Sequence, residues 1–320
     1  MHTSGMMGRH SLLLLLRLFL QQQSRLLPRL RLLPRLRLLP RLRLLPLLAL
    51  VLPPHVGAQA RLPIFDVHIH YAYNAFESVP APQLIAMLRK AGVSAALVSG
   101  AMAPGALEDG AQKLYALAPD LVIPSLRPYR KYEDLQTWFR DPEILRELEQ
   151  RLQKYKYAAI GEFHLSGADA DTDVVRRIVK LAKRYNLLLH AHSDRDAVER
   201  LFKHDPDVRI LWAHGGFDRP ESVAEMLAKH KTLWADLAYR TDMANGKSAN
   251  AEWLALFKRF PDKFMVGTDT FTLERLHYIG EHAEFSRNWL AALPRELAEK
   301  IAHRNAEALF ATIWKRGAVR

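Results

Sequence analysis

The chain is organised around the stretch Ile64-Phe65-Asp66-Val67-His68-Ile69-His70. This stretch is typical of a buried β-strand that ends in two histidines. Because side chains alternate along a strand, His68 and His70 are expected to point to the same face. If that face is the inside of a closed barrel, the two imidazoles converge at its mouth and begin a zinc-type metal site. A single His-x-His motif is weak evidence, so the other ligands must come from the rest of the chain.

From residue 61 onward, short apolar runs alternate eight times with amphipathic stretches. The predicted strands are Ile64–His70, Ala95–Ser99, Leu121–Leu126, Ala158–Leu165, Leu187–His192, Val208–His214, Leu233–Ala238 and Phe264–Gly267. The predicted helices are Pro82–Lys90, Leu107–Leu117, Pro142–Lys154, Asp173–Tyr185, Arg195–Phe202, Glu221–His230, Ala251–Phe260, Leu273–Leu293 and Arg295–Trp314. This alternation predicts parallel βαβ units. Eight units favour an α/β fold of the (β/α)8 TIM-barrel type, in one domain, over the alternative of an open doubly wound sheet.

The net charge of +12 is distributed unevenly along the 320 residues. Residues 1–60 hold nine arginines and no Lys, Asp or Glu, which leaves 37 basic and 34 acidic residues in 61–320. The second part is therefore almost balanced, and its composition does not predict a nucleic-acid partner. The absence of cysteine excludes disulfides, thiolate metal ligands and a cysteine nucleophile.

Residues 1–42 are dominated by leucine and by a Leu/Arg/Pro repeat. The unit Arg25-Leu26-Leu27-Pro28-Arg29-Leu30 recurs from Arg31 and Arg37, and in part from Arg43. Proline at every sixth position prevents a continuous helix, and the arginines make burial in a bilayer costly. The repeat is thus a poor membrane span and a poor core element.

The segment from Arg43 follows the order of a secretory signal. Arginine precedes the apolar run from Leu44 to Leu52, and Ala58-Gln59-Ala60 offers a small-x-small cleavage site. We expect cleavage after Ala60, export to the periplasm or the exterior, and no stable membrane span afterwards. An uncleaved membrane anchor and a disordered basic tail are the alternatives. The mature domain, 61–320, has 260 residues, close to the typical length of one TIM barrel.

Polar side chains collect at the C-terminal ends of five predicted strands. They are His68, His70, Glu162, His164, His190, His192, His214 and Asp269. In a barrel these strand ends form one face, on which active sites are built. The sequence therefore predicts a metal site at the barrel mouth, where a bound metal would activate water and a carboxylate such as Asp269 would accept its proton.

The ligand order resembles the amidohydrolase superfamily of metal-dependent TIM-barrel hydrolases, and most of all its amidohydrolase-2 branch of hydrolases, lactonases and decarboxylases. The resemblance covers about Ile64 to Phe310. Three phrases carry most of it: the strand already quoted, Trp212-Ala213-His214-Gly215-Gly216 and Val266-Gly267-Thr268-Asp269-Thr270. The last helix, Lys300 to Phe310, matches too. TatD-like deoxyribonucleases share the ligand order.

The resemblance implies roles for these residues. His68, His70 and Glu162 would bind a divalent metal, with Zn²⁺ the favoured ion. Glu162 stands where the binuclear enzymes carry a carboxylated lysine, so one and two ions both remain open. Asp269 would bind metal and take the proton from the attacking water. His214 would bind a second metal or, with one metal, polarise the substrate or position water.

The predicted strand five supplies two histidines where the family needs one. His192 lies nearer the mouth and is the favoured metal ligand, with His190 as its support or as the alternative ligand. For substrate binding, Arg127 could hold a carboxylate or form an ion pair at the rim, and His164 could reach the substrate.

Asp66 is expected to orient a ligand histidine or to join a buried network. Asp236, Tyr239 and Arg240, near predicted strand seven, could shape substrate specificity, but a solvated loop is the favoured interpretation.

The sequence thus predicts a metal-dependent hydrolase that acts on a small carbonyl compound, an amide, ester or lactone, through a metal-activated water. The alternatives are a decarboxylase on the same scaffold, a TatD-like phosphodiesterase or nuclease, and a catalytically silent binding barrel. An oligomer is compatible with the sequence.

Overall fold

The computed structural model describes residues 61–100 and 108–314. Three predicted features lie outside these ranges: the signal-like segment, the cleavage site after Ala60 and the first residue of the helix predicted from Leu107. Within them, no helix is both long enough and apolar enough to cross a bilayer.

Eight strands form one parallel sheet in which each strand pairs with the next along the chain. They are β1 (Ile64–His70), β2 (Val93–Gly100), β3 (Val122–Leu126), β4 (Ala159–Leu165), β5 (Leu188–Ser193), β6 (Ile210–Trp212), β7 (Leu233–Asp236) and β8 (Phe264–Met265). The two ends of the sheet meet. The amide of Val67 donates to the carbonyl of Val266 at 3.0 Å, and the amide of Asp269 donates to the carbonyl of His68 at 2.7 Å. The predicted barrel is therefore confirmed, and the open sheet is excluded.

The helices of the described ranges alternate with these strands. They are α1 (Ala81–Lys90), α2 (Gly110–Leu117), α3 (Glu143–Lys154), α4 (Asp173–Tyr185), α5 (Arg195–His204), α6 (Pro220–Lys229), α7 (Ala251–Arg259), α8 (Leu273–His277), α9 (Ile279–Leu290), α10 (Arg295–Glu299) and α11 (Asn305–Ile313). Each of the two predicted closing helices is interrupted. The first breaks at Tyr278, and the second contains a π-helical turn at Lys300–Arg304, where the carbonyl of Ile301 accepts the amide of Val266 at 3.3 Å.

Local signals explain where the helices begin and end, and α4 shows them most fully. The Thr172 side chain accepts the amide of Val175 and caps the first turn, and Asn186 ends the helix in the left-handed conformation, with φ at 58°. Six apolar residues spaced along one face of this helix are buried. This is the amphipathic pattern that predicts a helix packed against a sheet, and here the sequence gives both ends correctly.

One apolar cluster draws residues from seven of the eight strands. Its strand members are Phe65, Val67, Ala95, Leu97, Ile123, Ala159, Leu188, Leu211 and Met265. Because they come from strands nearly all the way round the sheet, we place this cluster inside the barrel. Phe310 of α11 stacks on Phe65 at 5.3 Å and extends the cluster. Asn305 donates to the carbonyls of Pro261 and Phe264, which ties α11 to β8.

Candidate metal centre

Four predicted ligands from β1, β4 and the turn after β8 surround one point. The Nε2 atoms of His68 and His70 lie 3.1 Å apart. Oδ1 of Asp269 lies 3.6 Å from Nε2 of His68 and 3.2 Å from Nε2 of His70. Glu162 approaches the same two nitrogens at 3.4 and 3.1 Å. All four residues are buried.

These spacings suit a tetrahedral site for a zinc-type ion. With metal–ligand bonds of 2.0–2.1 Å, neighbouring donor atoms of a tetrahedron lie about 3.3 Å apart. The three separations among Nε2 of His68, Nε2 of His70 and Oδ1 of Asp269 are 3.1, 3.2 and 3.6 Å. Glu162 reaches the two nitrogens through different oxygens, Oε1 for His68 and Oε2 for His70. The donor set, two imidazoles and two carboxylates, is also one that Zn²⁺ accepts. The residues present therefore fit a bound divalent cation.

A second group of donors meets the first at Glu162. Oε1 of Glu162 lies 2.8 Å from Nδ1 of His192 and 3.6 Å from Nε2 of His214. Nε2 of His214 is buried, has no hydrogen-bond partner, and lies 3.9 Å from Oδ2 of Asp269. Glu162 thus contacts His68, His192 and His214 through Oε1 and His70 through Oε2. This is the position of a carboxylate that could bridge two ions.

Hydrogen bonds at the far side of two rings fix their tautomers. Nδ1 of His214 faces the carbonyl of Ala238 at 2.8 Å, and Nδ1 of His68 faces Oδ2 of Asp236 at 3.2 Å. A carbonyl and an ionised carboxylate only accept, so both Nδ1 atoms carry the proton. In each neutral ring Nε2 then presents a lone pair to the centre. The ring of His70 is held in orientation by Ser99, whose Oγ lies 2.8 Å from its Nδ1 and can donate or accept.

The electrostatic field of this centre favours a cation. Burial alone would lower the pKa of His68, but the carboxylates of Asp269, Glu162 and Asp236 outweigh it and hold that pKa well above its ordinary value. Burial opposes ionisation of Glu162 and Asp269, yet the neighbouring histidines hold the pKa of both carboxyls below their usual range. The same field would stabilise a metal ion in place of a proton.

The structure corrects the prediction for Asp236, at the end of strand seven. It was expected in a solvated loop, but it is the last residue of β7 and is fully buried. Its Oδ2 accepts from His68 and, at 2.9 Å, from Nε2 of His190, while Oδ1 accepts the amides of His214 and Ala238 at 3.0 Å. One carboxylate thus positions groups from β1, from β5 and from the turns after β6 and β7. Its place at a strand end was the signal that could have identified it.

The two histidines of β5 occupy different depths. His192 is about one-third exposed and contacts Glu162, whereas His190 is buried against Asp236 and His68. Burial lowers the pKa of His190 to about 4, so its neutral ring donates through Nε2 to Asp236. This geometry favours His192 as the ligand and His190 as its support. Donor atoms of His190, His68 and Asp236 nevertheless lie within 4.8 Å of one another.

Backbone irregularities aim the ligands into the centre. Between Asp66 and Ile69, β1 has one residue more than the segment of β2 that pairs with it. In the same way, β4 has one residue more than β5 at Glu162. Such bulges re-aim side chains and are frequent beside active sites. His214 and Asp269 both have positive φ, 57° and 53°. Conformations of this kind persist in non-glycine residues only where the surroundings fix them.

The turn after β6 depends on glycine. Gly216 has φ at 66°, and a Cβ there would collide with the ring of Trp212. Trp212 is fully buried and donates through its indole N–H to the carbonyl of Ser193 at 2.7 Å. Close packing of the turn against this ring places His214 beyond the end of the strand, which stops at Trp212 rather than continuing to His214 as predicted.

Three further residues were assigned from the sequence. Asp66 is buried, and its Oδ1 accepts the amides of His68 and Thr268 at 3.1 Å, so it belongs to a buried network between β1 and the turn after β8. Arg240 is buried and donates to the carbonyl of His214 at 3.0 Å, so the solvated-loop prediction is wrong for it. Tyr239 is 47% exposed.

Arg127 and His164 both line a cavity of about 520 Å³ above the ligands. Arg127 donates through Nε to the carbonyl of Glu162 at 3.0 Å, and its Nη2 lies 3.5 Å from the carboxylate of the same residue. It therefore forms the expected ion pair at the rim and also lines the cavity. Nδ1 of His164 lies 3.1 Å from the hydroxyl of Tyr129. Burial lowers the pKa of His164 to about 4, so its ring is neutral.

A closed (β/α)8 barrel with buried imidazoles and carboxylates at its strand ends is an architecture on which metal-dependent hydrolases are built. The model of one protein family, described as Amidohydrolase, matches residues 136–312, more than half of the chain. The chain belongs to this amidohydrolase family. No curated protein matches it by sequence.

Solved structures share the fold at low sequence identity. An uncharacterised TIM-barrel protein from Bordetella bronchiseptica is 14% identical, with a TM-score of 0.52 and coverage of 79% of this chain and 99% of that chain. A hydrolase of the TatD family from Entamoeba histolytica is 12% identical (TM-score 0.51, coverage 78% and 98%). A mutant of organophosphorus hydrolase from Deinococcus radiodurans is 16% identical (TM-score 0.50, coverage 78% and 94%). At these identities the likeness establishes the fold alone.

Proposed function

We propose that this chain hydrolyses a small carbonyl compound, an amide, ester or lactone, with one or two Zn²⁺ ions as its cofactor. One observation carries the proposal. Lone pairs of buried histidine nitrogens and two ionised carboxylates converge at the bottom of an open cavity, with spacings that suit a tetrahedral cation.

His68, His70, Glu162 and Asp269 would hold the first ion. When bound, such an ion lowers the pKa of its water toward ~7 and polarises a carbonyl oxygen. Oδ1 of Asp269 faces the two β1 histidines, whereas Oδ2 faces His214. Asp269 can therefore take a proton from water through the oxygen directed at the cavity and return it to the leaving group. His214 lies where it would orient the substrate carbonyl or bind a second ion.

The cationic side of the cavity supports recognition of an anionic group. Arg127 and Lys131 both line it, and Arg127 stacks on the ring of Tyr129, with 4.7 Å from the guanidinium carbon to the ring centre. A guanidinium held in this way can bind a substrate carboxylate bidentately. Because Arg127 also contacts Glu162, a bound carboxylate would lie beside the metal ligands.

A TatD-like phosphodiesterase is the second candidate. The observation that favours it is that Glu162 contacts four histidines, a donor set large enough to hold two ions. A decarboxylase would use the same ligands and would release CO₂ without net addition of water.

Metal analysis with product analysis tests these candidates. We expect purified 61–320 to contain about one zinc-type ion per chain, and to convert a panel of esters, lactones and amides to acid products without CO₂ release. The His68→Ala/His70→Ala variant should lose both metal and activity, and His277→Ala, at an exposed histidine outside the site, should keep both. About two ions with cleavage of a phosphodiester would favour the second candidate. Absence of bound metal after supplementation would refute the proposal.

A further inference from the structure

The cavity above the ligands has two unlike walls. Arg127, Tyr129 and Lys131, which follow β3, form a polar and cationic wall. Phe217, which follows β6, Tyr239, which follows β7, and Phe271, which follows β8, form what we call the aromatic wall. Because the strands follow one another in order around the barrel, β3 lies across the mouth from β7.

Contacts with Arg275 hold two rings of the aromatic wall in place. Tyr239 and Phe271 meet edge to face, with ring centres 5.8 Å apart and planes at 67°. The guanidinium of Arg275 lies 4.7 Å from the first ring centre and 5.6 Å from the second. Arg275 is itself fixed, because it donates to the backbone carbonyls of Asp269 and Thr268, each at 2.6 Å. The pair is therefore anchored to the turn that carries a metal ligand.

The third ring lies directly on a site histidine. Phe217 stacks on the imidazole of His214, with ring centres 4.5 Å apart and planes at 17°. Phe217 and Tyr239 both have positive φ, 55° and 59°, which non-glycine residues adopt only where the structure imposes it. These side chains are thus directed toward the mouth by the backbone.

All three rings remain open to the cavity. Phe217 is 51% exposed, Tyr239 47% and Phe271 56%. A group of large exposed apolar side chains is typical of a binding site. Flat rings recognise other flat rings through stacked and edge-to-face contacts, in addition to the area that they bury. The aromatic wall therefore has the shape and chemistry of a subsite for a planar group.

We propose that the aromatic wall binds an aromatic ring of the substrate next to the reacting carbonyl, while the cationic wall accepts an anionic group across the mouth. The substrate class is then an aryl-substituted ester, lactone or amide that carries a carboxylate. This inference rests on the proposed function for the reaction. The preference for a flat ring can also be measured without it.

The test compares two carboxylates of similar size and equal charge, benzoate and cyclohexanecarboxylate. Their dissociation constants are measured by titration calorimetry and ligand-observed NMR on metal-free and Zn²⁺-loaded 61–320. Benzoate should bind about 2- to 10-fold more tightly, the range expected for one well-placed aromatic contact. The Tyr239→Ala/Phe271→Ala variant should lose this preference. Tyr278→Ala removes a ring that is 56% exposed but does not line the cavity, and it should keep the preference.

Two controls make the result decisive. If the double alanine variant does not fold, the variants Tyr239→Leu and Phe271→Leu replace it, because they remove the rings but keep apolar bulk. Equal binding of the two probes to the unsubstituted protein, or a preference that survives in every ring-deleted variant, would overturn the inference. Hydrolysis of the panel of esters, lactones and amides is assayed in parallel. A benzoate preference without hydrolysis would refute the proposed function alone, and hydrolysis without any aromatic preference would refute the subsite alone.

Discussion

Replacing Asp236 with asparagine should impair metal binding although this residue touches no metal in the proposed site. The two oxygens of Asp236 serve different partners. Oδ1 accepts two backbone amides, and Oδ2 accepts from His68 at 3.2 Å and from His190 at 2.9 Å. In Asp236→Asn one oxygen becomes an NH₂ group. Either orientation of the amide then places its two donors against two other donors.

Where the NH₂ group faces His68, this histidine can relieve the conflict between donors only by changing its tautomer. If Nδ1 of His68 gives up its proton, Nε2 becomes protonated and can no longer bind a metal. Loss of such supporting contacts typically costs 10- to 100-fold in metal affinity. We expect Asp236→Asn to weaken Zn²⁺ binding by about this factor, because one of four proposed ligands is lost for part of the time.

The assay is competition for Zn²⁺ with a chromophoric chelator at neutral pH. Circular dichroism and a thermal melt of the metal-free protein check that the variant is folded. The matched control is Asp242→Asn, which makes the same change of side chain at a carboxylate that is about half-exposed and pairs with Arg240. If folded Asp236→Asn binds Zn²⁺ as tightly as the unsubstituted chain, the tautomer argument is wrong.

Three further outcomes are expected. Asp269→Asn should lower kcat by about 10²- to 10⁴-fold, the usual contribution of a general base, and unchanged kcat in steady-state assays would contradict its role. Arg151→Ala should destabilise the fold by about 3–5 kcal/mol in urea unfolding, because it leaves the fully buried Asp109 without its cation. Zn²⁺ affinity should stay unchanged in that variant. Finally, N-terminal sequencing of protein expressed from the full chain in a secreting host should begin at Arg61, whereas an intact N-terminus would refute cleavage after Ala60.

The architecture could be predicted because period and order are properties of the sequence. Strand β1 and helix α4 have the predicted bounds, since apolar alternation, a threonine cap and an asparagine at the C-terminus each specify a local structure. The convergence of ligands also followed from the sequence, because parallel strands bring their C-terminal ends to one face.

The inner geometry of the site could not be predicted, because it depends on local departures from regular strands. No residue type predicts the extra residue in β1 or the positive φ of Asp269. The simple alternation of side chains between the two faces of a strand also fails across a bulge. The role of Asp236 depends on contacts with β1, β5 and the turn after β6 that are distant in sequence. From the sequence it was one acidic residue near the end of predicted strand seven.

Metal binding and substrate choice depend on different parts of the mouth. The ligands are fixed by buried contacts such as those of Asp236, whereas the aromatic wall belongs to the segments that follow β6, β7 and β8. Substitutions in the wall should therefore change the preferred carbonyl compound without changing metal affinity. Arg275 is an exception, because it contacts Tyr239 and Phe271 and also holds the carbonyl of Asp269. Loss of Arg275 should therefore disturb both properties together, as should loss of Arg127, which lines the cavity and contacts Glu162.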